Sequence, residues 1–305
     1  MKKKPQKKRF QEKFDSQPDK DGLTGYNKLF LAHQERGPYF TDEELHEALG
    51  LDFFTAAQLN GWRKEFRDSF DASELPMLDR MEKAIRTYAH SATEANEGLL
   101  SLKLSILSAD ESLKRSIESP EGKLLALEVH RDVLRSRLGQ PPVFSADFLE
   151  KYRATTQMVV GGALEEWTNH IRRVDPELYH EMDDTPIFRG IFNLDYYMNT
   201  PAKPDFLSLY AEVEETVTDF YEPEILNSNT LSSNVAEKFS TIHDNQRRAL
   251  VEGTYGHFRR RLFSSFITSP SFKENQFELL TVAAPEQNLI RVDKLDGEFG
   301  IFRME

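Results

Sequence analysis

Gln276-Phe277-Glu278-Leu279-Leu280 is the stretch from which the fold is read. Apolar and polar residues alternate through it. Strand side chains point to opposite faces with a period of two, so the pattern predicts a strand with Phe277 and Leu279 in a core and Gln276 beside Glu278 on the other face. An amide and a carboxylate side by side usually mark a half-solvated strand; chemistry there needs partners elsewhere in the chain. Downstream, Leu289–Leu295 and Glu298–Arg303 read as strands, and Asp296-Gly297 between them is a tight-hairpin signal, because both turn positions want positive φ. Upstream, Arg261–Thr268 and Thr185–Ile191 have the same strand-like texture, while Ser145–Arg173 reads as a helix with Gly161-Gly162 as a soft point.

The first half has a different texture. Gly22–Gly37 carries Leu23, Tyr26, Leu29 and Phe30 at helical spacing, and Thr41-Asp42-Glu43-Glu44 reads as a capping box before Leu45 and Leu49. Ser108-Ala109-Asp110-Glu111 is a second such box, and Ser119-Pro120 predicts an N-cap followed by proline at the first helical position. Leu124, Leu127, Leu134 and Leu138 fall near one face, the core stripe of a helical bundle. Gly139-Gln140-Pro141-Pro142 breaks the pattern. The fold class is therefore α+β: a basic arm over 1–20, a helical domain over 21–140, and a domain of helices and antiparallel strands over 144–305.

Charge separates the arm from the body. Residues 1–13 hold six lysines, Arg9 and one glutamate, a net of +6; subtracting that from the total of −12 leaves −18 for the rest. An acidic body disfavours non-specific polyanion binding, and a like-charge block reads first as a solvated tail. There is no cysteine, so no disulfide or thiolate metal site is available, and the eight histidines show no ligand spacing; no metal is expected. No apolar run approaches the ~18 residues of a membrane span and the basic N-terminus lacks an apolar segment, so the expectation is a cytoplasmic protein without a cleavable signal, with no membrane partner and delivery to a host cell, if any, by another route.

Three separated pieces of the second half make sense together. Pro186-Ile187-Phe188-Arg189-Gly190 offers an arginine at a strand end, whose planar fork of donors suits phosphate, and a glycine expected to let a ligand approach the backbone. Thr230-Leu231-Ser232-Ser233-Asn234 offers small hydroxyls on a short strand, followed by Ala236, Phe239 and a helix; alone it would read as a turn or cap cluster. The third piece is Gln276-Phe277-Glu278.

In this order they resemble the mono-ADP-ribosyltransferases of the Arg-Ser-Glu class, the group of the cholera-toxin-like and Rho-modifying bacterial toxins. In that family an arginine ends the first core strand, a Ser-Thr-Ser strand follows, and a Gln/Glu-x-Glu strand closes the site. The resemblance covers 144–305 and sets Asn234 where the family's final serine stands. It implies an ADP-ribosyltransferase-like domain that takes NAD as a substrate. Glu278 would be the catalytic carboxylate, oriented by Ser232, with Gln276 beside it; Arg189, Gly190, Ser232, Ser233 and Phe239 would bind NAD. His243, Arg247 and Arg248 fall where the family has a loop against phosphate and nicotinamide. Gln276 and Phe272 would face the acceptor, Phe272 from the segment Ser269–Lys273 that corresponds to the family's target-recognition loop. Glutamine at position 276 disfavours arginine as the target, because an amide pairs with an amide or a base edge but does not deprotonate a guanidinium. The acceptor is then a protein side chain, asparagine or glutamine, or a nucleobase. The resemblance points to a toxin, effector or phage-type host-modifying enzyme whose helical half binds an inhibitor or partner protein. Two other readings compete: an NAD glycohydrolase, with water as acceptor, and a non-catalytic helical interaction or DNA-binding protein, for which Thr41–Phe66 would be a helix-turn-helix.

Overall fold

The computed structural model describes residues 54–91, 97–119, 128–174, 176, 179–191, 217–220, 224–240, 248–272, 276–283, 288–296 and 299–304. The basic arm, the Gly22–Gly37 and Thr41–Glu44 patterns, His243, Arg247, Lys273 and Gly297 lie outside these.

Among the described residues the chain begins with helices α1 (Ala56–Asp68), α2 (Leu75–Ser91), α3 (Glu97–Ala109), α4 (Glu111–Glu118) and α5 (Glu128–Arg137). Thr55 and Gln58 start α1 as a reciprocal capping box. Helix α4 begins two residues later than the sequence suggests, because Asp110 is the N-cap, accepting from the Ser112 and Leu113 amides, while Ser108 donates back to the Leu104 carbonyl inside α3. Ser119, expected as an N-cap, stands at the C-terminal cap of α4. After α5, Gly139 adopts φ +92°, the left-handed position glycine tolerates, and Pro141-Pro142 cannot extend the helix.

Helix α6 (Ala146–Val174) is the spine. Phe148, Leu149, Tyr152, Val159, Val160, Ala163, Leu164, Trp167 and Ile171 recur at three- and four-residue steps and are all buried. It runs unbroken through Gly161-Gly162. α6 packs against α1, α3 and the strand β5 (Leu262–Ser265). Tyr152 is fully buried, with its hydroxyl 3.1 Å from that of Ser264, and its ring touches Phe66, Phe70, Phe148 and Phe263. A buried ring of this size is worth about 1.5–3 kcal/mol by area, so this cluster ties the helical part to the sheet.

The strands are β1 (Pro186–Ile191), β2 (Val217–Phe220), β3 (Leu226–Thr230), β4 (Arg248–Thr254), β5, β6 (Glu278–Val282), β7 (Asn288–Asp296) and β8 (Phe299–Met304); α7 (Ser233–Ser240) follows β3, and the one-turn helix α8 (Tyr255–Phe258) follows β4. They form one sheet in the order β2-β7-β8-β4-β1-β3-β6-β5. All neighbours are antiparallel except β4 and β8. The hairpin expected around Asp296-Gly297 is the β7–β8 pair, which closes at Asp296 opposite Phe299. The class is α+β, helices followed by a largely antiparallel sheet. Among the described residues no helix is long and apolar enough to cross a membrane.

Candidate functional site

Three neighbouring strands, β1, β3 and β6, carry the residues singled out from the sequence. Arg189 on β1 is 7% exposed, and its guanidinium donates to Asn227 Oδ1 at 2.7 Å. Asn227 is itself fixed, its amide donating to the Glu224 carbonyl at 2.9 Å. Glu278 opens β6, is 7% exposed, and pairs across the strands with Thr230. Its carboxylate accepts a short hydrogen bond from the Ser228 hydroxyl. Adjacent residues of β3 therefore hold the two groups: Asn227 takes the guanidinium and Ser228 the carboxylate.

The Arg189–Asn227 bond ties β1 to β3, and the Ser228–Glu278 bond ties β3 to β6. β1 and β3 share one registered pair, Phe188 opposite Thr230, and form no further pair where Arg189–Ile191 run beside Leu226–Asn229.

The serine that meets the carboxylate is thus Ser228, four residues before the one the sequence reading favoured. Ser232 lies past the end of β3, fully buried, where its hydroxyl accepts from the Val235 amide at 3.3 Å and caps α7. The strand with small polar side chains is Leu226–Thr230, which ends where the expected strand Thr230–Asn234 begins. Ser233 opens α7. Gly190 does admit a close approach, but by this helix: a Cβ there would lie 1.7 Å from the Ala236 carbonyl oxygen. The neighbour whose approach Gly190 permits is protein, not ligand. Phe239, on the same helix, is 36% exposed.

The Gln276–Glu278 stretch also departs from simple alternation. The strand begins at Glu278, and Phe277 has φ +48°, a left-handed conformation uncommon for a bulky residue. Gln276 and Glu278 are thus not successive members of one strand face. Gln276 is half-buried and its carbonyl accepts from the Thr230 hydroxyl at 2.6 Å; the Phe277 carbonyl accepts from the Leu231 amide at 3.3 Å. Phe277 itself is buried, its ring edge-on to Phe266 at 5.7 Å. Phe272 is only 3% exposed and belongs to the core, so in this conformation it does not present itself to an acceptor. Arg248 lies on β4 rather than in a loop.

A layer of buried polar groups supports the site from β3. The Asn229 amide donates to the Asn227 and Leu279 carbonyls and to the Thr281 hydroxyl at 3.0 Å, linking β3 to β6. Asn227 and Asn229 carry no distinct signal in the sequence, because amides in a short segment also read as turn formers.

No protein-family profile and no curated protein matches the sequence. Among solved structures, the ADP-ribosyltransferase Vis in complex with agmatine is similar at 15% identity over 85% of this chain and 89% of that chain, with a TM-score of 0.32. The Vis toxin from Vibrio splendidus is similar at 14% identity over 85% of this chain and 90% of that chain, with a TM-score of 0.28. Identity this low and superposition this loose leave the reading of the site to the residues themselves.

Proposed function

We propose that this chain is a mono-ADP-ribosyltransferase that takes NAD as its substrate, with the groups that meet it carried by β1, β3 and β6. The observation that carries the reading is the Ser228–Glu278 pair, a buried carboxylate fixed by a hydroxyl, one residue along β3 from the Asn227 that holds Arg189. The donor set suits the substrate: a guanidinium for a diphosphate and a carboxylate for a sugar carbon that turns positive.

Breaking the bond between ribose and nicotinamide develops positive charge on the sugar, as in glycoside cleavage. Glu278 stabilises that charge, and Ser228 keeps its carboxylate from rotating away, which makes the stabilisation preorganised. Arg189 holds the phosphates, and Asn227 sets where the guanidinium starts from. Gln276, in the turn directly before Glu278, is the side chain nearest in sequence to the point where an acceptor would arrive, and its amide favours an asparagine or glutamine side chain or a base edge over arginine. A toxin or effector role, with a partner on the helical part, follows from the same resemblance.

The burial of Phe272 favours a second reading, NAD hydrolysis, since it removes one of the two residues expected to meet an acceptor. Incubation with labelled NAD and cell lysate separates the two: label fixed on protein or nucleic acid supports transfer, and free ADP-ribose alone supports hydrolysis. Label in neither form overturns both.

A further inference from the structure

Glu82, on α2, is a half-buried carboxylate between the helical part and the segment that leads into Glu278. Its Oε2 accepts from the Ser269 hydroxyl at 2.6 Å and from the Ser271 hydroxyl at 3.0 Å, and Ser271 also reaches the Glu82 main-chain carbonyl at 3.2 Å. Arg63, on α1, donates to the Phe266 carbonyl at 2.8 Å, so the same segment is gripped at both ends. Burial pushes the Glu82 carboxyl up, against the opposing pull of the Ser269 and Ser271 hydrogen bonds and of the Arg86 and Arg63 charges, and its own charge is felt at the Tyr152 phenol.

The grip extends to the site. The Phe266 amide donates to the Glu278 carbonyl at 2.9 Å, and the Phe266 ring lies between Phe277, at 5.7 Å, and Phe54, at 5.6 Å. Phe54 in turn packs on Trp62 and Trp167. A left-handed phenylalanine persists only where its surroundings over-determine it, and these contacts are the surroundings. A carboxylate partly withdrawn from water is a costly way to fill space, but its directed hydrogen bonds fix a register that apolar contacts do not.

We propose that Glu82 is a positioning residue for the Glu278 site: from the helical part it fixes Phe266–Phe272, and through Phe266 it holds the Phe277 turn that aims the carboxylate. The proposal rests on the NAD-cleaving reading above for its effect on rate, but its structural content is independent of it.

The test compares Glu82→Leu with Glu82→Gln in the full chain. Loss of hydrogen bonds to a charged group predicts amide exchange over 266–279 faster by roughly tenfold to a hundredfold in Glu82→Leu, with exchange in α6 unchanged. It also predicts kcat for NAD cleavage down about tenfold with KM for NAD within about twofold, and most of both effects restored in Glu82→Gln, whose amide oxygen still accepts. Should Glu82→Leu not fold, Ser269→Ala with Ser271→Ala removes the same bonds from the other side and is held to the same outcomes. Unchanged exchange over 266–279 overturns the proposal, and so does faster exchange with an unchanged kcat. A wild type that cleaves no NAD instead defeats the proposed function, and exchange at Phe277–Leu279 then decides the positioning claim alone, faster in Glu82→Leu supporting it and unchanged overturning it.

Discussion

Two serines four residues apart have separable jobs. Ser228 donates to the Glu278 carboxylate, whereas Ser232 caps α7. Ser228→Ala should lower NAD cleavage by roughly tenfold to a hundredfold, the worth of a hydrogen bond to a charged group, with an unaltered melting temperature. Ser232→Ala should do the reverse, costing about 1 kcal/mol of stability through the lost cap with cleavage near that of the parent. Kinetics and thermal melts on the two variants decide it, and a catalytic loss confined to Ser232→Ala would return the role to Ser232. Sequence could not choose between them. Small polar residues run from Asn227 to Asn234, and period-two alternation does not say where within such a run the strand stops and the helix cap begins. The left-handed Phe277 had no local signal either, because its conformation comes from aromatic packing on residues far away in the chain.

Helix α7 can lie on β1 only because residue 190 has no side chain. A Cβ at Gly190 would sit 1.7 Å from the Ala236 carbonyl oxygen and 2.8 Å from the Ser240 amide nitrogen, so Gly190→Ala must displace backbone. We expect a loss of about 1–3 kcal/mol or more, read as a lower denaturant midpoint, together with lost NAD cleavage as β1 and Arg189 shift. A fully stable and active Gly190→Ala would contradict this packing. The long elements were legible for physical reasons. The apolar stripe of α6 repeats from Phe148 to Ile171, and the β7–β8 hairpin is announced by its turn residues. Strand β4 was not: Ala249, Leu250 and Val251 form a short contiguous apolar run between charged residues, a pattern that a buried strand and a helix segment share. β2, four residues long, offers less pattern still.

At the scale of the molecule, the helical part and the sheet share one hydrophobic core, and α6, Tyr152 and Glu82 cross between them. The 139–142 break marks a turn between helices, not a gap in packing. Glu82 gives this interface a pH signature. Burial raises its carboxyl from the ordinary 4.5, so the folded chain keeps that proton to higher pH than the unfolded chain does. The stability it contributes is complete below about 4.5 and is lost as pH rises through the folded value. Glu74 and Glu97, paired with Lys151 and Arg137, are shifted the other way, and their contribution fades as pH falls. Denaturant unfolding of the wild type and Glu82→Gln as a function of pH isolates the first effect: the stability difference should move in favour of the glutamine variant as pH rises above 4.5, and parallel profiles would show that Glu82 does not titrate across folding. The central claim concerns Glu278, and the most direct measurement is nicotinamide released from NAD by the wild type and by folded Glu278→Ala. The account predicts release by the wild type and a rate lower by roughly a hundredfold to a thousandfold in the variant; equal release from the two, or none from the wild type, would contradict it.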